Sequence, residues 1–89
     1  MFADQLKEKI ENTFGSLDDE SGAYVNNQWL SVNDIVDLID DDDNKDSLKD
    51  KLEVKYGDLE DDCGKYVRNG EWLSVKRIVD MIDECDDED

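Results

Sequence analysis

The chain has 89 residues and a mass of 10.3 kDa, which is the size of one small domain. Its 27 Asp and Glu residues outnumber 10 Lys and Arg, so the formal net charge is −17 and the isoelectric point is near 4.1. Nucleic acid and anionic membranes repel such a polyanion, which excludes direct binding to either through charge. The sequence contains no run of about 18 apolar residues that would span a bilayer.

Two cysteines, Cys63 and Cys85, are too few for a disulfide framework. The N-terminal residues also lack the basic and apolar regions of a secretory signal, so we expect a cytoplasmic protein. Hydrophobic residues make up 37% of the chain and include two Trp, three Tyr and two Phe. That content is enough for a small folded core despite the charge.

The chain is a tandem duplication. The segment DQLKEKIE at position 4 returns as DSLKDKLE at position 46, and WLSV at position 29 returns at position 72. With one extra residue allowed in the second copy, 22 of the 40 aligned positions in residues 4–43 are identical. We therefore divide one domain, residues 1–89, into repeat 1 (residues 1–43) and repeat 2 (residues 44–89).

Each repeat begins with a predicted helix, because apolar residues recur every three or four positions. These residues are Phe2, Leu6, Ile10, Phe14 and Leu17 in repeat 1, and Leu48, Leu52, Tyr56 and Leu59 in repeat 2. Asp4 and Asp46 are the predicted N-caps. Gly15 and Gly57 stand where a glycine ends a helix.

A short hairpin follows in each repeat. In repeat 2 the dipeptide Asn69-Gly70 predicts a two-residue type I′ turn, which pairs the tryptophan of the repeat with its valine. In repeat 1 we expect a three-residue loop, Asn26–Gln28, which keeps the equivalent pair of Val25 and Trp29. A two-residue turn there would pair Trp29 with Tyr24 and shift the register by one residue.

A second helix ends each repeat, with Ser31 and Ser74 as predicted N-caps. Its buried stripe consists of Val32, Ile35, Val36 and Ile39 in repeat 1, and Val75, Ile78, Val79 and Ile82 in repeat 2. A unit of about 42 residues is near the limit at which a lone core suffices. We therefore predict an α+β fold in which two tandem α-β-β-α repeats pack as one pseudo-twofold symmetric small domain.

The aromatic residues of the hairpins have two interpretations. We expect both Trp residues, Tyr24 and Tyr66 to build the core that the repeats share. The alternative is an exposed aromatic anchor for a partner.

The sequence gives little support for an enzyme, because it has no His and no distinctive acid–base or nucleophile pair. Asp42, Asn44, Asp46 and Glu53 match positions 1, 3, 5 and 12 of a calcium-binding EF-hand loop. Ser47 occupies the position that requires glycine, and the repeat starts a helix inside this loop. We therefore predict no catalytic residue, no metal and no cofactor.

Acidic side chains line the outer faces of the predicted helices, where residues three or four apart are separated by about 4.5–6 Å along the axis. Close like charges destabilise a compact state, so this density indicates a function. The predicted row on the second helix of repeat 1 is Asp34, Asp37 and Asp41. We assign partner binding to Asp4, Glu8, Glu11, Asp18, Asp19, Glu20, Asp34, Asp37, Asp40, Asp41, Asp46, Asp50, Glu53, Asp80, Asp83, Glu84 and Asp87.

In size, charge and lack of catalytic residues, the chain resembles the acidic DNA-mimic proteins of bacteriophages and mobile elements. Those proteins inhibit host nucleoid proteins, restriction enzymes, polymerases or CRISPR effectors. The resemblance implies an inhibitor that occupies the DNA-binding surface of a basic host protein in the host cytoplasm. Carboxylates copy the DNA backbone but not base edges, so an HU-type nucleoid-associated protein is the expected target, followed by CRISPR or restriction effectors.

Two other hypotheses stay open. An acidic adaptor or regulator would use the hairpins, with Trp29 and Trp72, to bind a protein that does not bind DNA. Adaptation to high salt fits less well, because the chain has eight Lys against two Arg and many Ile, Val and Leu residues. Either a monomer or a homodimer is compatible with the sequence.

Overall fold

A computed structural model describes residues 2–67 and 69–85 and gives a mixed α+β fold. Two antiparallel hairpins stand among four helices, in the order in which the sequence predicts them. The elements are α1 (Phe2–Phe14), β1 (Gly22–Val25), β2 (Gln28–Ser31), α2 (Val32–Leu38), α3 (Lys45–Tyr56), β3 (Gly64–Tyr66), β4 (Trp72–Ser74) and α4 (Val75–Glu84). Asp87, one of the predicted partner-binding residues, lies outside the described residues.

One hydrophobic cluster contains apolar side chains from both repeats. Phe14 of α1 and Tyr56 of α3 are its largest fully buried members. The second helices add Ile35 and Ile78, which are also fully buried. Helix α4 packs against both α1 and α3, and strand β1 lies against β3, so the two repeats meet along both helices and hairpins.

The predicted starts of the second helices are confirmed. The Ser31 hydroxyl accepts a hydrogen bond from the backbone N–H of Asp34 at 3.1 Å, and the Ser74 hydroxyl accepts one from Arg77 at the same distance. Both serines have extended backbone angles, as N-cap residues do.

The predicted N-caps of the first helices are wrong. Asp4 and Asp46 lie inside the first turns of α1 and α3. Asn44 caps α3 instead: its side chain accepts from the Ser47 N–H at 2.8 Å, and the Ser47 hydroxyl accepts from the Asn44 N–H at 3.0 Å. This reciprocal pair satisfies two backbone donors, which is more than a lone Asp46 cap would satisfy.

The first helices end at glycines, as predicted, and each end is held by the hairpin of the other repeat. Gly15 and Gly57 have φ values of 90° and 91°. Asn26 of the first hairpin donates its side-chain N–H to the Tyr56 carbonyl at 3.1 Å. Asn69 of the second hairpin donates to the Thr13 carbonyl at 2.8 Å. These bonds satisfy carbonyls that a helix end leaves without partners.

The loop lengths predicted for the two hairpins are wrong, because the two-residue turn is in repeat 1 and the longer loop is in repeat 2. Asn26 and Asn27 form the two-residue turn of repeat 1 with φ values of 52° and 72°, so Trp29 pairs with Tyr24 and not with Val25. Positive φ at both central residues is what a type I′ turn requires, and Asn tolerates it. The second hairpin has the longer loop.

In repeat 2 the Tyr–Trp pair encloses one more residue than in repeat 1. Val67 donates its N–H to the Glu71 carbonyl at 3.0 Å, and Trp72 pairs with Tyr66 and not with Val67. Gly70, with φ of 78°, supplies the left-handed position that a three-residue loop needs. The insertion is therefore absorbed in the loop, and the Tyr–Trp pairing is the same in both hairpins.

The expectation that the hairpin aromatics build the core is also wrong. Tyr24 is 74% exposed, Tyr66 is 66% exposed, and Trp29 is 36% exposed, while Trp72 is half-buried. The reason is the strand register. Val25 and Leu30 point into the core, so the alternate positions with Tyr24 and Trp29 face outward.

The turn of repeat 1 gives a test of the contact between the repeats. Asn26→Ala removes the hydrogen bond to α3 and places alanine at positive φ, so we expect the free energy of unfolding to fall by about 1–3 kcal/mol. Asn27→Gly is the matched control, because Asn27 makes no side-chain hydrogen bond to the described residues and glycine suits its φ. Its stability should stay within about 0.5 kcal/mol of wild type. Urea denaturation measures both, and equal stabilities would contradict the role of Asn26.

Candidate anionic interface

The first helix of each repeat presents three carboxylates to solvent. Asp4, Glu8 and Glu11 are exposed on α1, with axial separations of about 6 Å and about 4.5 Å. The equivalent residues of α3 are also exposed: Asp46, Asp50 and Glu53. These two sets are called the α1 row and the α3 row.

The lysines of α3 leave the α3 row without a cation. Lys49 forms an ion pair with Asp83 of α4, and Lys51 pairs with the segment that follows α2. The ammonium of Lys55 lies 5.5 Å from the centroid of the Tyr56 ring. Within residues 2–67 and 69–85, no residue of the α3 row forms an ion pair, because Lys49 and Lys51 bind acids of neighbouring elements and Lys55 lies near the ring of Tyr56.

The acidic row predicted on the second helix of repeat 1 is only partly helical. Asp34 is half-buried and Asp37 is exposed on α2, but the helix ends at Leu38, so Asp40 and Asp41 lie beyond it. Asp40 and Asp41 are exposed, so the end of α2 keeps its negative charge.

The first acidic loop contains one buried carboxylate. Asp18 and Glu20 are exposed, but Asp19 is only 7% exposed. The Asp19 carboxylate accepts the Ser21 N–H at 2.9 Å, and its backbone carbonyl accepts the Asn33 N–H at 3.0 Å. Asp19 therefore ties the loop to α2, and its assignment to partner binding stays a prediction.

Asp61 has the equivalent structural role in repeat 2. Its carboxylate accepts the Cys63 N–H at 2.9 Å, and its carbonyl accepts the Lys76 N–H at 3.1 Å. A hydrogen bond to Asp61, together with its negative charge, raises the pKa of the exposed Cys63 thiol. The acidic loop thus keeps this thiol in its less reactive protonated form.

The carboxylates of α4 are exposed but lie beside cations. Asp83 accepts from Lys49, and its backbone carbonyl accepts from Lys45 at 3.4 Å. Asp80 lies 3.9 Å from the Lys76 ammonium, and Glu84 lies 3.9 Å from that of Lys9. The anionic surface of repeat 2 is therefore partly neutralised on α4.

The junction of the repeats holds a charge cluster that the sequence interpretation missed. Lys51 donates to Asp43 at 2.7 Å, to Asp40 at 2.9 Å and to the Leu38 carbonyl at 3.0 Å. Asp43 also accepts from the Ser47 hydroxyl and from the Asp40 N–H, and its side chain is only 7% exposed. The acidic run of residues 40–43 does not indicate in the sequence which of its members is buried. The only sequence signal is the presence of a lysine, Lys51, on the helix that follows.

This cluster shifts both titrating groups toward their charged forms. Burial alone would raise the pKa of Asp43, but the hydrogen bonds and the charge of Lys51 outweigh it and lower the pKa. Hydrogen bonds to Asp43 and Asp40 raise the pKa of Lys51. The pair is therefore ionised throughout the neutral range and links the end of α2 to α3.

The residues that match an EF-hand loop have other roles. The Asn44 side chain caps α3, and Asp46 lies in the first turn of that helix. Among residues 2–67 and 69–85, no three acidic or cysteine side chains come close enough to hold a metal ion. The exposed carboxylates of this chain are separated along its surface, which suits an extended cationic surface better than a single ion.

Comparison of the chain with known protein families, with curated proteins and with solved structures found no match. In the described part of the chain, no helix has the length and apolar character needed to cross a membrane.

The Asp43–Lys51 pair predicts a defined pH dependence. The folded pKa of Asp43 lies below its ordinary value, so its contribution to stability is complete at neutral pH and is lost as the pH falls below about 4. Asp43→Asn should lower the free energy of unfolding at pH 7 by about 1.5–3 kcal/mol, the value of hydrogen bonds to a charged group. Urea unfolding at a series of pH values measures this loss, which should shrink toward acid pH.

Asp40→Asn is the control, because Asp40 contacts the same lysine but its side chain is 72% exposed. Asp40→Asn removes the same single negative charge as Asp43→Asn. Any change in stability that comes only from lowering the net negative charge of the chain is therefore equal in the two variants. We expect a loss of at most about 1 kcal/mol. Equal losses for the two variants at every pH would contradict the role given to Asp43.

Proposed function

We propose that this chain is a DNA mimic that binds a basic DNA-binding protein of a host cell and inhibits it by occupying its DNA-binding surface. The observation that carries the proposal is the number of exposed anions in relation to length. Of the 23 Asp and Glu in the described residues, 18 are exposed, and the Cα atoms extend over 33 Å. Duplex DNA of that length carries about 19 phosphate charges.

The placement of the cations supports the same function. The described residues contain nine Lys and Arg, several of which pair with acids of α4 or with the segment after α2. The α3 row makes no such pair, and neither does the α1 row within residues 2–67 and 69–85. A DNA-binding surface rich in Lys and Arg would therefore meet carboxylates at a spacing of a few ångströms, as it meets phosphates on DNA.

The kind of target follows from what carboxylates copy. They reproduce the charge of the sugar–phosphate backbone, but they offer no pattern of base-edge donors and acceptors. An HU-type nucleoid-associated protein, which depends on backbone contacts and DNA deformability, is the target class that fits best. CRISPR and restriction effectors are the next classes.

A pseudo-twofold arrangement of the repeats would give the mimic two similar faces. The reciprocal contacts support a rotation near 180°: Asn26 binds the end of α3 while Asn69 binds the end of α1. Such a rotation would place the α1 row and the α3 row in equivalent positions. A target with two basic arms or subunits would then meet the same surface twice.

A second function is favoured by a different observation. Tyr24 and Tyr66 are large exposed side chains on hairpins that lie against each other, and contiguous apolar surface marks interaction sites. An adaptor that binds a partner mainly through these hairpins would use them as its anchor. Such an interface would depend weakly on salt and would not require the carboxylate rows.

A pair of triple variants separates the two functions. Asp4→Asn with Glu8→Gln and Glu11→Gln removes three charges that make no ion pair in the described part of the chain. The affinity for an HU-type protein should fall by about tenfold or more at low salt. Titration calorimetry at several salt concentrations measures the affinity and its salt dependence, which should also become less steep.

Asp80→Asn with Asp83→Asn and Glu84→Gln is the matched control. It removes the same number of charges, but these carboxylates lie beside Lys76, Lys49 and Lys9. We expect a smaller loss of affinity. Binding that is insensitive to salt and to both triple changes would contradict the mimic and favour the adaptor.

A further inference from the structure

Two aromatic pairs with the same geometry stand on the outer faces of the hairpins. Tyr24 and Trp29 are in edge contact, with ring centroids 5.0 Å apart and planes at 70°. Tyr66 and Trp72 repeat this arrangement at 4.9 Å and 73°. The two tyrosines are 74% and 66% exposed, so a large part of each ring is open to a partner.

Each indole is fixed against an acidic loop. Trp29 donates its indole N–H to the Glu20 carbonyl at 3.2 Å, and Trp72 donates its own to the Asp62 carbonyl at 3.1 Å. Glu20 and Asp62 are themselves exposed, and the Asp62 carboxylate also accepts the Ser74 hydroxyl at 3.2 Å. We call Tyr24, Trp29 and Glu20 the first aromatic site, and Tyr66, Trp72 and Asp62 the second aromatic site.

The pairs hold their geometry although the hairpins differ. The loop of repeat 2 is one residue longer, yet Tyr still faces Trp and the indole still binds the same loop position. The aromatic rings contribute little to the core, since Phe14 and Tyr56 fill it. The structure therefore keeps two aromatic sites outside the hydrophobic core, each with an exposed tyrosine ring.

Charge selects the occupant of these sites. A second copy of this chain, a nucleic acid or an anionic membrane would bring more negative charge to a molecule of net charge −17. A cation meets attraction from the carboxylates and from the faces of the aromatic rings. The guanidinium group fits such a site better than an ammonium, because it is planar, weakly hydrated and stacks on aromatic rings.

We propose that the two aromatic sites bind arginine side chains of a basic protein segment, such as an arm or loop of the target. The inference rests on the proposed function, because it assumes a basic protein partner. The carboxylate rows attract any cationic surface, whereas the aromatic sites distinguish arginine from lysine. They would therefore add selectivity for arginine-rich targets to an interaction that charge alone makes unselective.

The test compares two peptides, one of alternating arginine and glycine and one of alternating lysine and glycine, by titration calorimetry. Wild type should bind the arginine peptide more tightly, by about two- to fivefold for each site that is occupied. Tyr24→Ala with Tyr66→Ala should lose this preference, and Tyr24→Phe with Tyr66→Phe should keep it, since phenylalanine retains the aromatic face. Val54→Ala is the control, because Val54 is 88% exposed on α3, outside the hairpins.

If wild type binds the two peptides with equal affinity, the proposal is overturned, whether or not the variants fold. An arginine preference that survives in the folded alanine variant would also overturn it. The triple variant of α1 (Asp4→Asn, Glu8→Gln and Glu11→Gln) distinguishes failure of the DNA-mimic proposal from failure of the arginine-binding proposal. If that variant loses affinity for the HU-type protein while the alanine variant does not, the mimic stands and the aromatic sites do not.

Discussion

Shared burial of apolar side chains from both repeats is the interaction on which the rest of the structure depends. A chain of net charge −17 repels itself, and this repulsion favours the unfolded state. A single repeat of about 42 residues is near the size at which a hydrophobic core fails to form alone. One cluster that joins Phe14, Tyr56, Ile35 and Ile78 gives both repeats a larger core than either has.

The cations of the chain are placed where they strengthen this arrangement. Lys51 joins the end of α2 to α3 through Asp43, and Lys49 joins α3 to α4 through Asp83. Both ion pairs join one element to another, and neither includes a member of the α1 row or the α3 row. The lysines that make them therefore leave the two rows without ion pairs within residues 2–67 and 69–85.

Repeat 2 is the less acidic half. It carries eight of the ten basic residues, and the carboxylates of α4 lie next to Lys49 and Lys76 of repeat 2 and Lys9 of repeat 1. Repeat 1 keeps a net charge of −10 in its 43 residues, with 12 acidic and two basic residues. The two repeats therefore differ in charge, although their Tyr–Trp pairs and serine caps are alike.

The sequence allowed the helices, their apolar stripes and the serine caps to be predicted, because each follows from local spacing. The hairpin loops could not be predicted, since one inserted residue is compatible with either loop length. The structure pairs Tyr with Trp in both hairpins, and this register is visible only in the structure. The same holds for Asp19 and Asp43, whose burial depends on backbone donors and on Lys51 rather than on the acidic runs that contain them.

The central claim is that the acidic surface occupies the place of DNA. Displacement of a fluorescently labelled DNA duplex from an HU-type protein, followed by fluorescence anisotropy, tests it most directly. The account predicts that added chain lowers the anisotropy to the value of free DNA, and that more chain is needed as salt increases. A chain that binds the protein while the DNA stays bound, at every salt concentration, would contradict the account.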